Sequence, residues 1–259
     1  MYETLAVREA QPGVIEIAFA RQAAANSLST RMGEELLALW TRLGSDESVR
    51  AAVLTGQGRI FCAGADLKER DGMTDAAWAT QHVLFEAMIR AQLALPFPLI
   101  AAVNGAAMGG GFEMALACDF IWAAEAARFG LPEVKLGIMP GLGGTQILAR
   151  TVGPAKAIEL LTTGKALTAA EAQGFGFVTR VLPGEELVEA ALEEAGRIAA
   201  NAPLSVRALK HVVRAGAGLA LPEAMEVELE SYNRLFVTED RHEGIAAFNE
   251  KRSPSFRGR

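Results

Sequence analysis

Apolar and polar positions alternate near the start of the chain, at residues 5–7 and again at 14–19, with Gln11-Pro12-Gly13 between them. Alternation of period two around a turn tripeptide predicts a β-hairpin. The period then changes. Met32, Leu36, Leu37, Leu39, Trp40 and Leu43 recur at helical spacing, Ser29 or Thr30 offers a cap, and Gly44 stands near the end; this predicts a helix. Residues 51–55 form a short continuous apolar run that reads as a buried strand, and a second short strand is expected near 59–62, after the Gly56-Gln57-Gly58 turn. A helix over about 75–95 is closed by Pro96 and Pro98, since proline lacks the donor a helix interior needs. A strand at 99–103, a glycine cluster opening a short helix, and strands at 120–123 and 128–129 complete the first half.

Beyond residue 143 the pattern turns helical, punctuated by Gly153 and Gly164. Thr168-Ala169-Ala170-Glu171 matches a capping box, in which the threonine side chain and the glutamate three residues on satisfy each other's backbone donors. Residues 177–181 read as a late strand and 185–251 as three or four helices. The first half thus repeats strand, turn, strand, helix without a strict period, which predicts an α/β core over 1–183 followed by a helical part over 184–259.

Composition narrows the function classes. Of 259 residues, 51% are hydrophobic and 22% charged, with a formal net charge of −6. That balance argues against a broad surface for nucleic acid or anionic membrane. The two cysteines, Cys62 and Cys118, lie in apolar or glycine-rich stretches, and His82, His211 and His242 are scattered, so no metal-ligand spacing exists. No apolar run reaches the roughly 18–20 residues of a membrane span, and the first residues lack the pattern of a targeting segment. A cytoplasmic protein is expected.

Three segments carry candidate chemistry. Residues 104–113 read Asn-Gly-Ala-Ala-Met-Gly-Gly-Gly-Phe-Glu, following a strand and opening an apolar helix. Glycines at a helix start admit a ligand to free backbone N–H groups, where the helix dipole favours negative charge. They serve equally well as a tight strand-to-helix turn. The spacing is neither that of a phosphate-binding loop nor that of a dinucleotide loop. Glu113 is a carboxylate among apolar neighbours, costly unless solvated or hydrogen-bonded. Glu133 is a second acid in a run of apolar and glycine residues ending at Gly144, where a loop acid at the surface is the plain alternative. In the third segment, residues 61–67, small residues permit close backbone approach, and Asp66 can cap the following turn.

Together, residues 61–68, 104–119 and 129–146 and the tail from Glu239 to Arg252 resemble the crotonase, or enoyl-CoA hydratase/isomerase, superfamily, over essentially the whole chain. The resemblance implies a core of stacked ββα units wound as a spiral, with a helical C-terminal part that mediates oligomerisation. It implies an oxyanion hole formed by the N–H groups of Ala65 and Gly110. It also implies two catalytic acids, Glu113 and Glu133, that hold and activate one water, with Glu133 as proton donor to Cα. Contacts to coenzyme A are implied at Ala25, Ala63, Asp66, Leu67 and Lys68, and at Phe248 and Lys251, in some relatives from a neighbouring subunit. The implied partner is an acyl-CoA thioester substrate, with no separate cofactor, no metal, no nucleic acid and no membrane, in a homotrimer or homohexamer. The implied reaction is addition of water to a trans-2-enoyl-CoA. A double-bond isomerase or another lyase on the same fold is the first alternative, and an RNA-binding relative a remote one.

This chain departs from the family pattern at Leu131, where many hydratases have Gln, at Phe112, where many have a small or aliphatic residue, and in the missing proline before Asn26. These departures bear on the acyl group. Residues 69–95, with Trp78 and Phe85, are expected to shape its pocket; Trp78 reads equally as pocket wall or surface.

Overall fold

The computed structural model describes residues 2–259. The elements run β1 (Leu5–Gln11), β2 (Val14–Phe19), α1 (Thr30–Gly44), β3 (Ala51–Gly56), α2 (Leu67–Arg70), α3 (Asp75–Leu93), β4 (Leu99–Val103), β5 (Ala106–Met108), α4 (Gly110–Leu116), β6 (Phe120–Ala124) and β7 (Arg128–Gly130). They continue as α5 (Gly144–Val152), α6 (Pro154–Thr163), β8 (Leu167–Thr168), α7 (Ala169–Gly174), β9 (Val178–Leu182), α8 (Gly184–Ala199), α9 (Pro203–Gly216), α10 (Leu221–Leu235) and α11 (Glu239–Glu250).

A six-stranded sheet in the order β1-β2-β3-β4-β6-β9 is parallel except for the β1–β2 hairpin. All residues of β3 and β4 are buried, as expected of central parallel strands, which are covered on both faces. A smaller sheet, β5-β7-β8, lies beside it, and Cys62 bridges to Ala107 at its edge. Successive turns of chain therefore put β3, β4 and β6 side by side in the large sheet, and Cys62, β5 and β7 side by side in the second layer. This is the stacked spiral that the resemblance implies. α8 crosses the large sheet with Leu187, Ala191, Ala195 and Ala199 buried at every fourth position.

Local signals explain most boundaries. Ser29 Oγ accepts from Met32 N–H at the start of α1, Thr74 caps α3, and the Thr168–Glu171 capping box is complete. One expected strand is absent. Around residues 59–62 only the single bridge at Cys62 forms, because the carbonyl of Ile60 accepts from the Asn26 side chain (2.7 Å) instead of from a neighbouring strand. Two short strands, β5 and β8, were not expected from the sequence.

Two successive turns of the spiral touch backbone to backbone. A Cβ on Gly105 would lie 2.0 Å from the Arg59 carbonyl oxygen, and one on Gly111 would lie 2.4 Å from that of Cys62. Asn104 fastens the same junction, donating to the Gly56 and Gly58 carbonyls (2.8 and 2.9 Å) and accepting from Gly56 N–H (3.2 Å).

Gly105→Ala should therefore cost about 1–3 kcal/mol, the range for overpacking, or prevent folding. Gly174→Ala, at a helical position with nothing within 4 Å of the added methyl, should be neutral or slightly stabilising. Urea denaturation midpoints of the two variants check this contrast, and equal midpoints would contradict it.

Candidate active site

Two free backbone donors arise where these successive turns meet. Leu28 bridges to Ala65 by donating to the Gly64 carbonyl (2.8 Å) and accepting from Asp66 N–H (3.0 Å). In extended backbone the intervening N–H points the other way, and Ala65 N–H has no acceptor among the described residues. Gly110 opens α4, so its N–H is one of the unpaired donors of a helix start. A Cβ on Gly64 would sit 2.9 Å from the Met108 carbonyl oxygen and 3.6 Å from Gly109 Cα. The two donor segments are thus in direct contact.

Glu113 lies one turn into α4 and is 2% exposed. Its Oε1 accepts from Leu142 N–H (2.7 Å) and Gly144 N–H (2.8 Å), the latter at the start of α5. Burial pushes its pKa up to about 7; the Gly144 and Leu142 donors pull it down, and the nearby Glu133 charge pushes it up. Glu133 opens a short 3₁₀ turn, Glu133–Leu136, and is also buried. Burial raises its pKa as well, opposed by its own backbone N–H. Its Oε1 faces Gly109, where an added Cβ would be 3.0 Å away, and its buried Oε2 has no partner. Two buried carboxyls with raised pKa beside unengaged N–H donors can hold a water and exchange protons with it.

The structure gathers most of the other expected residues. Ala63 N–H donates to the Ala25 carbonyl (3.1 Å), and Ala25 and Asn26 both hold positive φ, of 50° and 54°. Leu67 and Lys68 are exposed on α2, just beyond Ala65. The Asp66 side chain is spent within the protein: it caps α2 through Lys68 and Glu69 N–H and pairs with Arg21 at 2.9 Å. Phe248, on α11, and Lys251, which caps its end, lie apart. Phe248 is 83% exposed, so it packs on nothing within the chain, and no hydrogen bond or ion pair joins either residue to 63–68.

Phe112, one of the departures from the family pattern, turns into the core and packs with Phe129 and Phe177, ring centroids 5.3 Å away in each case. Trp78 is half-buried and, with Leu67, Lys68, Arg70, Asp71, Leu136 and Ile138, lines an open cavity of about 430 Å³. The sequence reading missed the amides of Leu142 and Gly144. Their signal was the glycine-rich run 141–144, since glycines let the loop pass close to Glu113; a Cβ on Gly144 would meet the Glu113 carboxylate at 2.9 Å. No group of three or more His, Cys, Asp or Glu suited to a metal occurs among the described residues. No helix among them is long and apolar enough to cross a membrane.

Residues 9–259 match the family model described as Enoyl-CoA hydratase/isomerase. The 2,3-dehydroadipyl-CoA hydratase of Escherichia coli K12 is 42% identical over 249 residues, covering 96% of this chain and 97% of that protein. Enoyl-CoA isomerase/hydratase fer4 of Mycosarcoma maydis is 38% identical over 95% of this chain and 93% of its own length. The crystal structure of an enoyl-CoA hydratase from Bacillus anthracis superposes with a TM-score of 0.97 at 42% identity, covering 99% of this chain and 100% of that one.

The raised pKa of Glu113 has a consequence for stability. Its folded value, about 7, exceeds its ordinary 4.5, so the folded state holds the extra proton between those limits. The stability this confers is full below about pH 4.5 and is lost as pH rises through 7. Glu113→Gln removes the ionising group, so above pH 7 the variant should be more stable than the parent, by of order 1–3 kcal/mol. The two should converge near pH 4. Denaturation midpoints across pH 4–8 test this; a constant difference would refute it.

Proposed function

The chain belongs to the enoyl-CoA hydratase/isomerase family, and from that premise we propose that it adds water across the 2,3 double bond of a trans-2-enoyl-CoA. The observation that carries this reading is the pairing of Glu113, buried and held by two amides, with Glu133, buried and with Oε2 unpartnered, beside the free N–H groups of Ala65 and Gly110. An isomerase needs one proton carrier, whereas hydration needs a base for the attacking water and an acid for Cα.

In this mechanism Ala65 and Gly110 donate to the thioester oxygen, which gains negative charge as the oxygen–Cβ bond forms. Glu113, fixed through Oε1, orients the water. One O–H bond of the water breaks as its oxygen attacks Cβ, and its proton passes to the carboxylate pair. Glu133 delivers a proton to Cα through its free oxygen. One proton enters the pair and one leaves, so the pair ends as it began and no further cofactor is required. The different surroundings of the two acids suit these roles, because the amide-bonded oxygen of Glu113 is held in place while Oε2 of Glu133 is free to exchange.

We propose in addition a trimer or a dimer of trimers. Leu221, Met225, Leu229, Tyr232 and Phe236 repeat along one face of the α10 segment and are all exposed, and α10 buries no residue within the chain. An apolar stripe of this length is a contact surface waiting for a partner, and such assemblies close by symmetry. The same association would bring Phe248 and Lys251 toward a neighbour's Ala63–Lys68 patch.

Glu113→Gln and Glu133→Gln should each lower crotonyl-CoA hydration by about 10²–10⁴-fold, the usual worth of general acid–base catalysis. The double variant should fall well short of the product of the two losses, since the acids share one water. A folded Glu133→Gln protein with near-parent turnover would sink the mechanism. Hydration lost with double-bond shifting retained in Glu113→Gln would confine Glu113 to placing the water, and both activities retained in that variant would favour an isomerase. Static light scattering should give a mass three or six times that of the chain at micromolar concentration; a stable monomer would overturn the assembly.

A further inference from the structure

Arg70 is a cation without a carboxylate partner. Other half-buried cations have their donors taken up: Arg21 pairs with Asp66 at 2.9 Å, Lys210 and Arg214 pair with Asp119 at 2.7 and 2.8 Å, and Arg50 donates through both Nη groups to the Ala199 and Phe256 carbonyls. The guanidinium of Arg70 makes one hydrogen bond, from Nε to Gln81 Oε1 at 2.7 Å. Its two Nη groups have no acceptor among the described residues. The group is nonetheless fixed. Its Cζ lies 4.2 Å over the Trp78 ring, and buried Gln81 is itself bonded to Thr30 Oγ1 at 2.8 Å. Of the two acids adjacent in sequence, Glu69 is engaged by Thr30 N–H (2.9 Å) and Gln81 (3.3 Å), and neither it nor Asp71 forms an ion pair with Arg70 among the described residues. Burial lowers the pKa of Arg70, with the Glu69 charge acting the other way from beyond ion-pair distance; the guanidinium has given up water without gaining a direct carboxylate contact.

The position is informative. Arg70 lines the 430 Å³ cavity, whose other walls are Leu67, Leu136, Ile138 and Trp78, with Lys68 and Asp71 as the remaining charges. Arg70 lies one helical turn beyond Asp66, the neighbour of the donor Ala65. Leu136 closes the turn that begins at Glu133. Both wall segments therefore run directly out of the proposed reaction centre. A purely apolar acyl tail would bury part of the cation without satisfying it, which is unfavourable. A terminal carboxylate would meet a planar fork of free donors, the geometry that guanidinium recognises best.

We infer that Arg70 is a specificity-determining residue that selects an enoyl thioester whose acyl chain ends in a carboxylate. This rests on the reading that the site binds an acyl-CoA thioester, and it can be tested apart from the chemistry with saturated, unreactive ligands.

Calorimetry with succinyl-, glutaryl- and adipyl-CoA, each against the methyl-ended thioester of equal length (butyryl-, pentanoyl- and hexanoyl-CoA), reads the preference directly. At the best-fitting length the acid-ended ligand should bind about 10- to 100-fold tighter, as a charge-assisted pair provides. Arg70→Met should erase that ratio, and Arg70→Lys should keep part of it. The absence of a preference at every length, or an equal loss for both ligand types in Arg70→Met, would overturn the inference. Because the first measurement uses the unaltered protein, a variant that fails to fold does not remove the test. A protein that prefers acid-ended ligands yet hydrates no enoyl-CoA would uphold Arg70 and defeat the hydratase reading. Hydration of crotonyl-CoA with no such preference would do the reverse.

Discussion

Everything at the site depends on how closely two stretches of main chain can approach, the stretch from Arg59 to Ala65 and that from Asn104 to Gly111. Side chains cannot intervene there, because a single methyl on Gly105 or Gly111 would overlap a carbonyl oxygen. The two turns of the spiral consequently meet at backbone distance, and the start of α4 falls against Gly64, next to Ala65. The result is an arrangement no side chain could provide: two N–H donors on adjoining segments, each freed by its own local hydrogen-bonding geometry. Rigidity comes with it. Asn104, the Leu28 bridge and the Cys62–Ala107 bridge all fasten the same junction, so the donors need little reorganisation when charge develops near them.

The acids are differentiated by what surrounds them rather than by residue type. Both are glutamates, both are buried, and both have their pKa raised by that burial. Glu113 keeps its place because the loop before α5 turns two amides onto one oxygen. Glu133 has one oxygen against Gly109 and the other unclaimed. A buried polar atom without a partner is uncommon in native proteins, and at a site of this kind it marks the place where a ligand or water completes the set.

The sequence made the larger features legible and the smaller ones obscure, for physical reasons. Helices with side-chain caps, such as those beginning after Ser29 and Thr168, announce themselves in local chemistry. So do β3 and β4, whose continuous apolar runs reflect burial on both faces. The two- and three-residue strands β5 and β8 carry no period of their own and exist only because distant segments pair with them. The failure of residues 59–62 to become a strand was likewise set by a remote side chain, Asn26. At the site, Glu113 and Glu133 were visible as acids out of keeping with their neighbours. The donors holding Glu113 were not, since a backbone amide has no letter in the sequence. The surroundings of Phe112 were equally hidden, because direction around a helix decides what a side chain touches; it turns toward Phe129 and Phe177 while Glu113 turns toward the loop.

The burial of the two thiols acquires a meaning once a conjugated thioester is considered as the ligand. Such a compound is a soft electrophile, and its β-carbon is open to attack by sulfur as well as by water. Cys62 lies in the segment that leads to Ala65, two residues before Gly64, where a reactive thiolate would be alkylated by the compound the site exists to transform. It is fully buried beneath Gly111, and burial pushes its pKa up to about 12. Cys118 is buried and shifted in the same direction. Since the thiolate is the nucleophilic form, the close packing that aligns the donors also keeps sulfur protonated and out of reach, so that a conjugated thioester at the proposed site would meet no reactive thiolate.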